Sequence, residues 1–227
     1  MQKINIQMQG MLKTIENECR YTGGLTGVYS LHQPVLTAMA TVEREQFVPD
    51  EMKPYAYDNT PLPIGNGQTI SQPFIVALMT DLLELTPNDV ILEIGAGSGY
   101  QAAIISKLAK KIYTIEMIAP LAAQATKRLA DLGYDNVTVV NGDGSDGYAA
   151  QAPYDAIIVT AAAPRIPPAL IDQLKPLGRL VIPVGPPNLP QELLLVKKSM
   201  SGKIIKQKIL SVAFVPFTGK ISGKSPS

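Results

Sequence analysis

Short apolar runs alternate with amphipathic stretches through the middle of this chain. Five apolar runs predict buried strands, at residues 90–94, 111–116, 137–140, 154–160 and 179–184. Between them, apolar residues recur at helical spacing over residues 101–109, 119–132 and 168–174. This alternation predicts an α/β fold, a doubly wound and mostly parallel sheet with helices on both faces.

The two ends of the chain follow different patterns. Apolar positions from Ile4 to Arg20 predict an N-terminal amphipathic helix, and three glycines in residues 21–27 predict a loop after it. Residues 34–41 and 74–85 predict two further helices. Residues 192–198 and 203–217 are β-like runs separated by Ser201 and Gly202, so we expect the sheet to reach seven strands with an antiparallel C-terminal edge.

We expect one domain over residues 1–227. Within it, residues 1–85 hold an N-terminal helical extension and a cap, residues 86–185 the α/β core, and residues 186–227 the β edge. The cap segment, residues 47–73, is rich in proline and glycine yet carries apolar and aromatic side chains. Because a long irregular segment in a compact domain is more often functional than idle, we expect it to cross the ligand site.

A glycine-rich turn follows the first predicted strand of the core. Gly95, Gly97 and Gly99 lie between that strand and a helix, a geometry that presents backbone N–H groups to a ligand. A dinucleotide fingerprint requires Gly or Ala where Tyr100 stands. With Glu93 two positions before the first glycine, the pattern E-x-G-x-G-x-G resembles the first motif of S-adenosylmethionine-dependent methyltransferases. An ordinary glycine-rich turn is the alternative.

Polar residues follow the next predicted strands, and the carboxyl ends of parallel strands share one edge. Glu116 ends the second strand, where its carboxylate could accept hydrogen bonds from ribose hydroxyls or cap the following helix. Residues 141–144, Asn-Gly-Asp-Gly, follow the third strand, where Asp143 could read an adenine edge or form an Asx turn. Small residues at 160–164 leave room for a substrate.

Composition narrows the classes of function. The 227 residues are 46% hydrophobic, and 20 basic against 19 acidic residues give a net charge of +1, so no nucleic-acid or membrane partner is expected. The single cysteine, Cys19, cannot form an internal disulfide. With one histidine, His32, no metal site is expected. No signal peptide or membrane-spanning run is seen, and we expect a cytoplasmic protein, acting as a monomer.

Several segments together resemble one family, the bacterial-type protein-L-isoaspartate (D-aspartate) O-methyltransferases. They are residues 61–73 (PLPIGNGQTISQP), 91–103, Glu116, 141–144, 154–164, 178–185 and 214–219. The glycine motif is common to many methyltransferases, whereas GQTISQP is specific to this family. The similarity departs mildly at Glu43, where the family often has proline, and at Phe74, where tyrosine is common.

The resemblance implies the class I methyltransferase fold and methyl transfer from S-adenosylmethionine to the free α-carboxylate of L-isoaspartyl or D-aspartyl residues in damaged proteins and peptides. S-adenosylhomocysteine is the implied product. By similarity, Ser71 is the active-site serine and Glu116 holds the ribose. The implied cofactor-binding residues are Gln68, Thr69, Ile70, Ser71, Glu93, Gly95, Gly97, Ser98, Glu116, Asp143, Gly144 and Thr218.

The residues themselves suit an anionic acceptor. A carboxylate is already ionised at neutral pH and needs no general base, which fits a chain with one histidine. Ser71 could position that carboxylate, or it could cap the helix that begins near Pro73. Three other functions stay open at this point: a methyltransferase for a small molecule, a binding protein that keeps the nucleoside pocket, and a nicotinamide dehydrogenase.

Overall fold

The computed structural model describes residues 6–186 and 189–222. Its helices are α1 (Ile6–Thr26), α2 (Gln33–Thr41), α3 (Pro73–Leu82), α4 (Tyr100–Ser106), α5 (Ala119–Asp131) and α6 (Pro168–Asp172). Its strands are β1 (Leu62–Gly65), β2 (Gln68–Ile70), β3 (Val90–Ile94), β4 (Lys111–Glu116), β5 (Val137–Asn141), β6 (Tyr154–Val159), β7 (Leu174–Val184), β8 (Gln191–Lys198) and β9 (Ile204–Val212). Among the described residues, no helix combines the length and apolarity needed to cross a bilayer.

The described residues form one large sheet of seven strands in the order β5-β4-β3-β6-β7-β8-β9. Strands β3 to β7 run parallel, and β8 and β9 join antiparallel at one edge. This confirms the predicted mostly parallel sheet with its antiparallel C-terminal edge. The carboxyl ends of β3, β4, β5 and β6 therefore meet on one side, where the sequence places its glycine turn and its acidic residues.

Both faces of the sheet are covered, which explains why its strands read as continuous apolar runs. Along β6, Ala156 and Ile158 belong to one hydrophobic cluster, while Ile157 and Val159 belong to another. The first cluster includes buried residues of helices α1 to α5, and the second includes Leu170 on α6. The alternation follows from strand geometry, since successive side chains point to opposite faces.

The predicted loop at residues 21–27 is wrong, because α1 continues to Thr26. Gly23 is buried on this helix, and a Cβ built there would lie 2.4 Å from the ring of Tyr29. Close packing of that ring requires a glycine and outweighs the helix-propensity cost of about 1 kcal/mol. Ile4, the first position of the predicted helix, lies outside the described residues.

The cap segment contains more regular structure than its prolines suggest. Strands β1 and β2 form a small antiparallel hairpin, and two 3-10 turns, Arg44–Phe47 and Asp50–Tyr55, precede it. At the other end of the chain, β9 stops at Val212, so the predicted strand over residues 203–217 is too long. The chain leaves the sheet edge there because Val215 and Phe217 bond instead to Ala162.

Candidate active site

The glycine turn is the floor of the site. Gly95 and Gly97 have φ values of +97° and +51°, a region that favours glycine. A Cβ on Gly95 would lie 2.5 Å from Oγ1 of Thr160, whose hydroxyl donates to the Gly95 carbonyl oxygen at 2.6 Å. The backbone N–H of Gly95 donates to the carbonyl of Ile115 on β4. No side chain fits beneath the turn, so its backbone stays open to a ligand on the other side.

An open cleft of about 760 Å³ lies over this turn. Its walls come from the turn, the end of β4, the cap segment and residues 215–218. Ten residues predicted for the site line it: Gln68, Thr69, Ile70, Ser71, Gly95, Gly97, Ser98, Glu116, Gly144 and Thr218. Glu93 and Asp143 do not line it. The sequence reasoning missed several apolar wall residues, including Val76, Met117 and Phe217.

Glu116 is the one charged residue on the described walls of this cleft. One carboxylate oxygen accepts from the backbone N–H of Gly97 at 2.8 Å, and the other accepts from Ile118 at 2.9 Å, just before α5. The bond to Ile118 reaches the residue before α5 and not an N–H group of the first helical turn, so this contact holds the turn in place and does not cap the helix. It does not exclude a ligand role, because two carboxylate oxygens offer about four acceptor sites.

Asp143 lies behind the cleft and organises the loop around it. One oxygen accepts from the backbone N–H and the hydroxyl of Ser145, an Asx turn, and the other accepts from the backbone N–H of Lys220 at 2.9 Å. Burial alone would raise the pKa of Asp143, but these hydrogen bonds lower it below the ordinary value. The neighbouring Gly144 is buried and reaches the cleft wall.

Glu93 is placed inside the core rather than on the cleft wall. Its side chain is fully buried on β3, in register with Thr114 on β4 and Ile158 on β6. Within the described part of the chain, neither carboxylate oxygen makes a hydrogen bond of normal geometry, although the side chain of Thr114 is close enough to offset part of the effect of burial on the pKa. Burial raises the pKa of Glu93 to about 8. At neutral pH this side chain is therefore mostly a protonated, uncharged acid.

Ser71 is half-buried on the cleft wall, directly before α3. The capping role considered for it is filled by another residue, since Oδ1 of Asn59 accepts from the backbone N–H of Phe74 at 3.0 Å. Within residues 6–186 and 189–222, no hydrogen bond of the Ser71 hydroxyl is found, and only its carbonyl oxygen is engaged, by Arg44. The hydroxyl is therefore available to a ligand in the cleft.

Arg44 is the site-organising residue that sequence reasoning missed. Its side chain is 0% exposed and forms no ion pair among the described residues. Instead, its guanidinium donates to the carbonyl oxygens of Ala56 and Ser71, both at 2.8 Å, and lies 4.9 Å from the ring centre of Tyr100. Because Arg44 stands between Glu43 and Glu45 in the sequence, it would be expected to lie at the surface with them.

Residues 215–218 close the far side of the cleft. The backbone N–H of Ala162 donates to the Val215 carbonyl oxygen at 2.8 Å, and the N–H of Phe217 donates back to Ala162 at 2.9 Å. Phe217 is buried against the second hydrophobic cluster. This pairing brings Thr218 beside a glycine turn that lies far from it in the sequence.

Comparison with known proteins identifies the family. The family model described as Protein-L-isoaspartate(D-aspartate) O-methyltransferase matches residues 26–222. A protein of Nitrosococcus oceani named protein-L-isoaspartate O-methyltransferase 2 is 58% identical over 210 residues, covering 92% of this chain and 95% of the relative. The chain belongs to this family.

Other isoaspartate methyltransferases extend the comparison. A Polaromonas relative, also named protein-L-isoaspartate O-methyltransferase 2, is 54% identical and covers 92% of this chain and 100% of its own length. A solved protein-L-isoaspartate O-methyltransferase superposes with a TM-score of 0.81 at 26% identity, covering 94% of this chain and 67% of the other. A Plasmodium falciparum structure described as a complex with S-adenosyl-L-homocysteine superposes with a TM-score of 0.75 at 23% identity, covering 92% of this chain and 97% of the other. At this identity the match shows a similar fold.

Proposed function

We propose that this protein transfers a methyl group from S-adenosylmethionine to the free α-carboxylate of L-isoaspartyl and D-aspartyl residues in damaged proteins and peptides. Membership of the family supports this activity. The structural observation that carries it is Ser71, which lines the same cleft as the glycine turn and whose hydroxyl has no hydrogen-bond partner within the described residues. The backbone amide nitrogen of the following residue then attacks the ester carbonyl, which closes a succinimide and releases methanol. Hydrolysis of the succinimide returns a fraction of the molecules to normal aspartate.

The cleft fits S-adenosylmethionine in shape and charge. Gly97 exposes backbone at the turn, Glu116 supplies acceptors for ribose hydroxyls, and Ile118 and Phe217 supply apolar walls. The lone negative charge of Glu116 also suits a ligand that carries a cation. When bound, this cofactor supplies an electrophilic methyl group on a sulfonium centre.

The residues of the chain contribute alignment rather than proton transfer. The acceptor carboxylate is ionised at neutral pH, so no general base is required. The Ser71 hydroxyl donates a hydrogen bond that holds this carboxylate in line with the methyl group. Arg44 fixes the Ser71 backbone, and β1, β2 and residues 215–218 limit the access of water to the cleft.

The direct test uses methyl-labelled S-adenosylmethionine and two peptides that differ only in one isoaspartyl or normal aspartyl linkage. We expect base-labile methyl incorporation into the isoaspartyl peptide alone. A third peptide with a D-aspartyl residue tests the second substrate. Labelling of neither the isoaspartyl nor the D-aspartyl peptide, with cofactor binding intact, would overturn the proposal and point to a small-molecule acceptor.

We further propose that the enzyme acts as a monomer in the cytoplasm. The one cysteine, Cys19, is buried on α1 with a pKa that burial raises to about 11, so it carries little thiolate and is poorly placed to form a disulfide between two chains. Light scattering should give a mass near 24.3 kDa. A mass twice that value at micromolar concentration would contradict the monomer.

A further inference from the structure

A second groove opens beside the cofactor cleft. It has a volume of about 960 Å³, including space continuous with solvent, and lies between Glu18 on α1, Phe74 on α3 and residues 210–215. We refer to it as the flanking groove. It shares Thr69, Ser71, Thr160 and Val215 with the wall of the cofactor cleft. A substrate residue that reaches Ser71 from the cleft's outer side therefore has its neighbours in this groove.

The residues shared by the two cavities indicate that the flanking groove receives the part of the substrate peptide next to the acceptor residue. The acceptor carboxylate has to reach Ser71, and the cofactor fills the space over the glycine turn, so the rest of the substrate peptide must leave in another direction. The flanking groove is the space that adjoins Ser71 on that side. Its walls are largely uncharged, with Phe74 and Val212 giving apolar surface and Gln72 and Ser211 giving polar groups.

Glu18 is the one exception to this neutral lining. Of the described residues that line the flanking groove, only Glu18 has a charged side chain. It is half-buried on α1, and no ion pair of its carboxylate is found within the described residues. No lysine or arginine is among the described residues that line the groove, and two basic residues on its flanking elements are engaged elsewhere: Arg20 on α1 bonds to Asn17, and Lys208 on β9 pairs with Glu192. Among its described lining residues, the groove therefore carries one negative charge and no positive one.

This charge acts on every peptide that enters. The acceptor is itself a carboxylate, so a substrate with further acidic residues meets repulsion, whereas a lysine or arginine beside the acceptor meets a partner. A groove with apolar walls also screens the interaction less than open solvent does. Building on the proposed function, we infer that Glu18 makes this enzyme select isoaspartyl substrates with a basic residue next to the damaged site.

The test uses three isoaspartyl peptides that differ only in one neighbouring residue, which is lysine, glutamine or glutamate, prepared for each side of the damaged site. For wild-type enzyme we expect kcat/KM to be roughly tenfold higher for the lysine peptide than for the glutamate peptide on at least one side, mainly through KM. The ratio should fall toward one in high salt, because the contact is partly exposed.

Two variants of Glu18 assign the preference to this residue. Glu18→Gln should bring the lysine-to-glutamate ratio close to one, and Glu18→Lys should invert it. Glu16→Gln is the matched control, because Glu16 is exposed on the same helix and does not line the groove, and it should keep the wild-type ratio.

The outcomes distinguish a failure of the role of Glu18 from a failure of the proposed methyltransferase activity. Equal use of the three peptides by wild-type enzyme, or a preference that survives in Glu18→Gln, would overturn the role of Glu18 and leave the proposed function intact. Failure of wild-type enzyme to methylate even the glutamine peptide would overturn the proposed function itself, and the selection by Glu18 with it.

Discussion

The glycine turn and the cap segment face each other across the same cleft, but they are built in opposite ways. The turn is local: in eleven residues, VILEIGAGSGY, the chain passes from strand β3 through the glycines to the first residue of α4, and adjacent strands support it. The cap segment is long and irregular, and its carbonyl groups converge on one buried side chain, that of Arg44.

Each region also packs against or contains one buried ionisable group: Arg44, just before the cap segment, and Glu93, on the strand that leads into the turn. The charge of Arg44 is offset by backbone carbonyl oxygens and an aromatic ring, and no carboxylate pairs with it in the part of the chain that the structure describes. Glu93, beneath the turn, has no such partners among the described residues, and burial shifts it toward its neutral form. The cap segment therefore depends on the hydrogen bonds of one side chain, Arg44. The turn tolerates a buried acid that lacks hydrogen bonds to the described part of the chain, because the neighbouring strands hold β3 in place.

The largest expected effect is at Arg44. Arg44→Met leaves the carbonyl groups of Ala56 and Ser71 without donors, so we expect the free energy of unfolding to fall by about 3–5 kcal/mol in chemical denaturation. Arg44→Lys keeps the charge but cannot reach both carbonyls as a fork, and we expect a folded enzyme with a lower kcat. Arg20→Met, at an exposed position of α1, is the control. If Arg44→Met kept wild-type stability and turnover, the cap segment would not depend on the hydrogen bonds of Arg44.

The next effect concerns the pH dependence of stability through Glu93. Above pH 4.5 the unfolded chain releases this proton, while the folded chain keeps it up to a pKa of about 8, so stability falls as pH rises through that window. Glu93→Gln should remove this loss, on the order of 3 kcal/mol between pH 5 and pH 8. Urea denaturation at both pH values measures it, with exposed Glu192→Gln as the control. An unchanged pH slope in Glu93→Gln would show that Glu93 is ionised in the fold.

A smaller effect is expected at Glu116, on the turn side of the cleft. Removing this charged acceptor in Glu116→Ala should weaken S-adenosylhomocysteine binding roughly tenfold to a hundredfold, equivalent to about 1.5–3 kcal/mol. Calorimetry gives the affinity directly. Thermal unfolding without ligand shows whether the lost contacts to Gly97 and Ile118 have disturbed the turn. Unaltered affinity would leave Glu116 with a structural role only.

The last prediction concerns Ser71, on the cap side. Ser71→Ala should lower kcat for an isoaspartyl peptide by roughly tenfold, at the lower end of the loss of one hydrogen bond to a charged group. The affinity for S-adenosylhomocysteine should change much less than in Glu116→Ala, which separates the two sides of the cleft. Exposed Ser30→Ala serves as the control. Full turnover in Ser71→Ala would remove its positioning role.

The same contrast explains what could be predicted from the sequence. The bounds of β3 and β4 were predicted correctly, because strands buried on both faces leave a continuous apolar signal. The extension of α1 through Gly23 was missed because it depends on Tyr29, which packs there only in the folded chain. The β1–β2 hairpin was missed among the turn residues, and the burial of Arg44 has no local signal at all.

For the site, the glycine turn and Glu116 were found from their own pattern, and the structure places both on the cleft wall. Ser71 depended on the family resemblance, because its position follows from Arg44 and Asn59 rather than from its neighbours in sequence. Asp143 and Glu93 were predicted to contact the cofactor and lie off the cleft wall, so their direct contacts stay predictions.

The pairing of residues 215–217 with Ala162 has a consequence for how the protein is made. Domains begin to fold from the N-terminal side while the ribosome is still adding residues. The strands from β3 to β7 and the glycine turn are then available early, but the cleft lacks a wall until Phe217 has emerged. A nascent chain that has not yet exposed residues 215–218 therefore lacks one wall of the cleft, and full cofactor affinity should arise only after these residues have emerged and paired with Ala162.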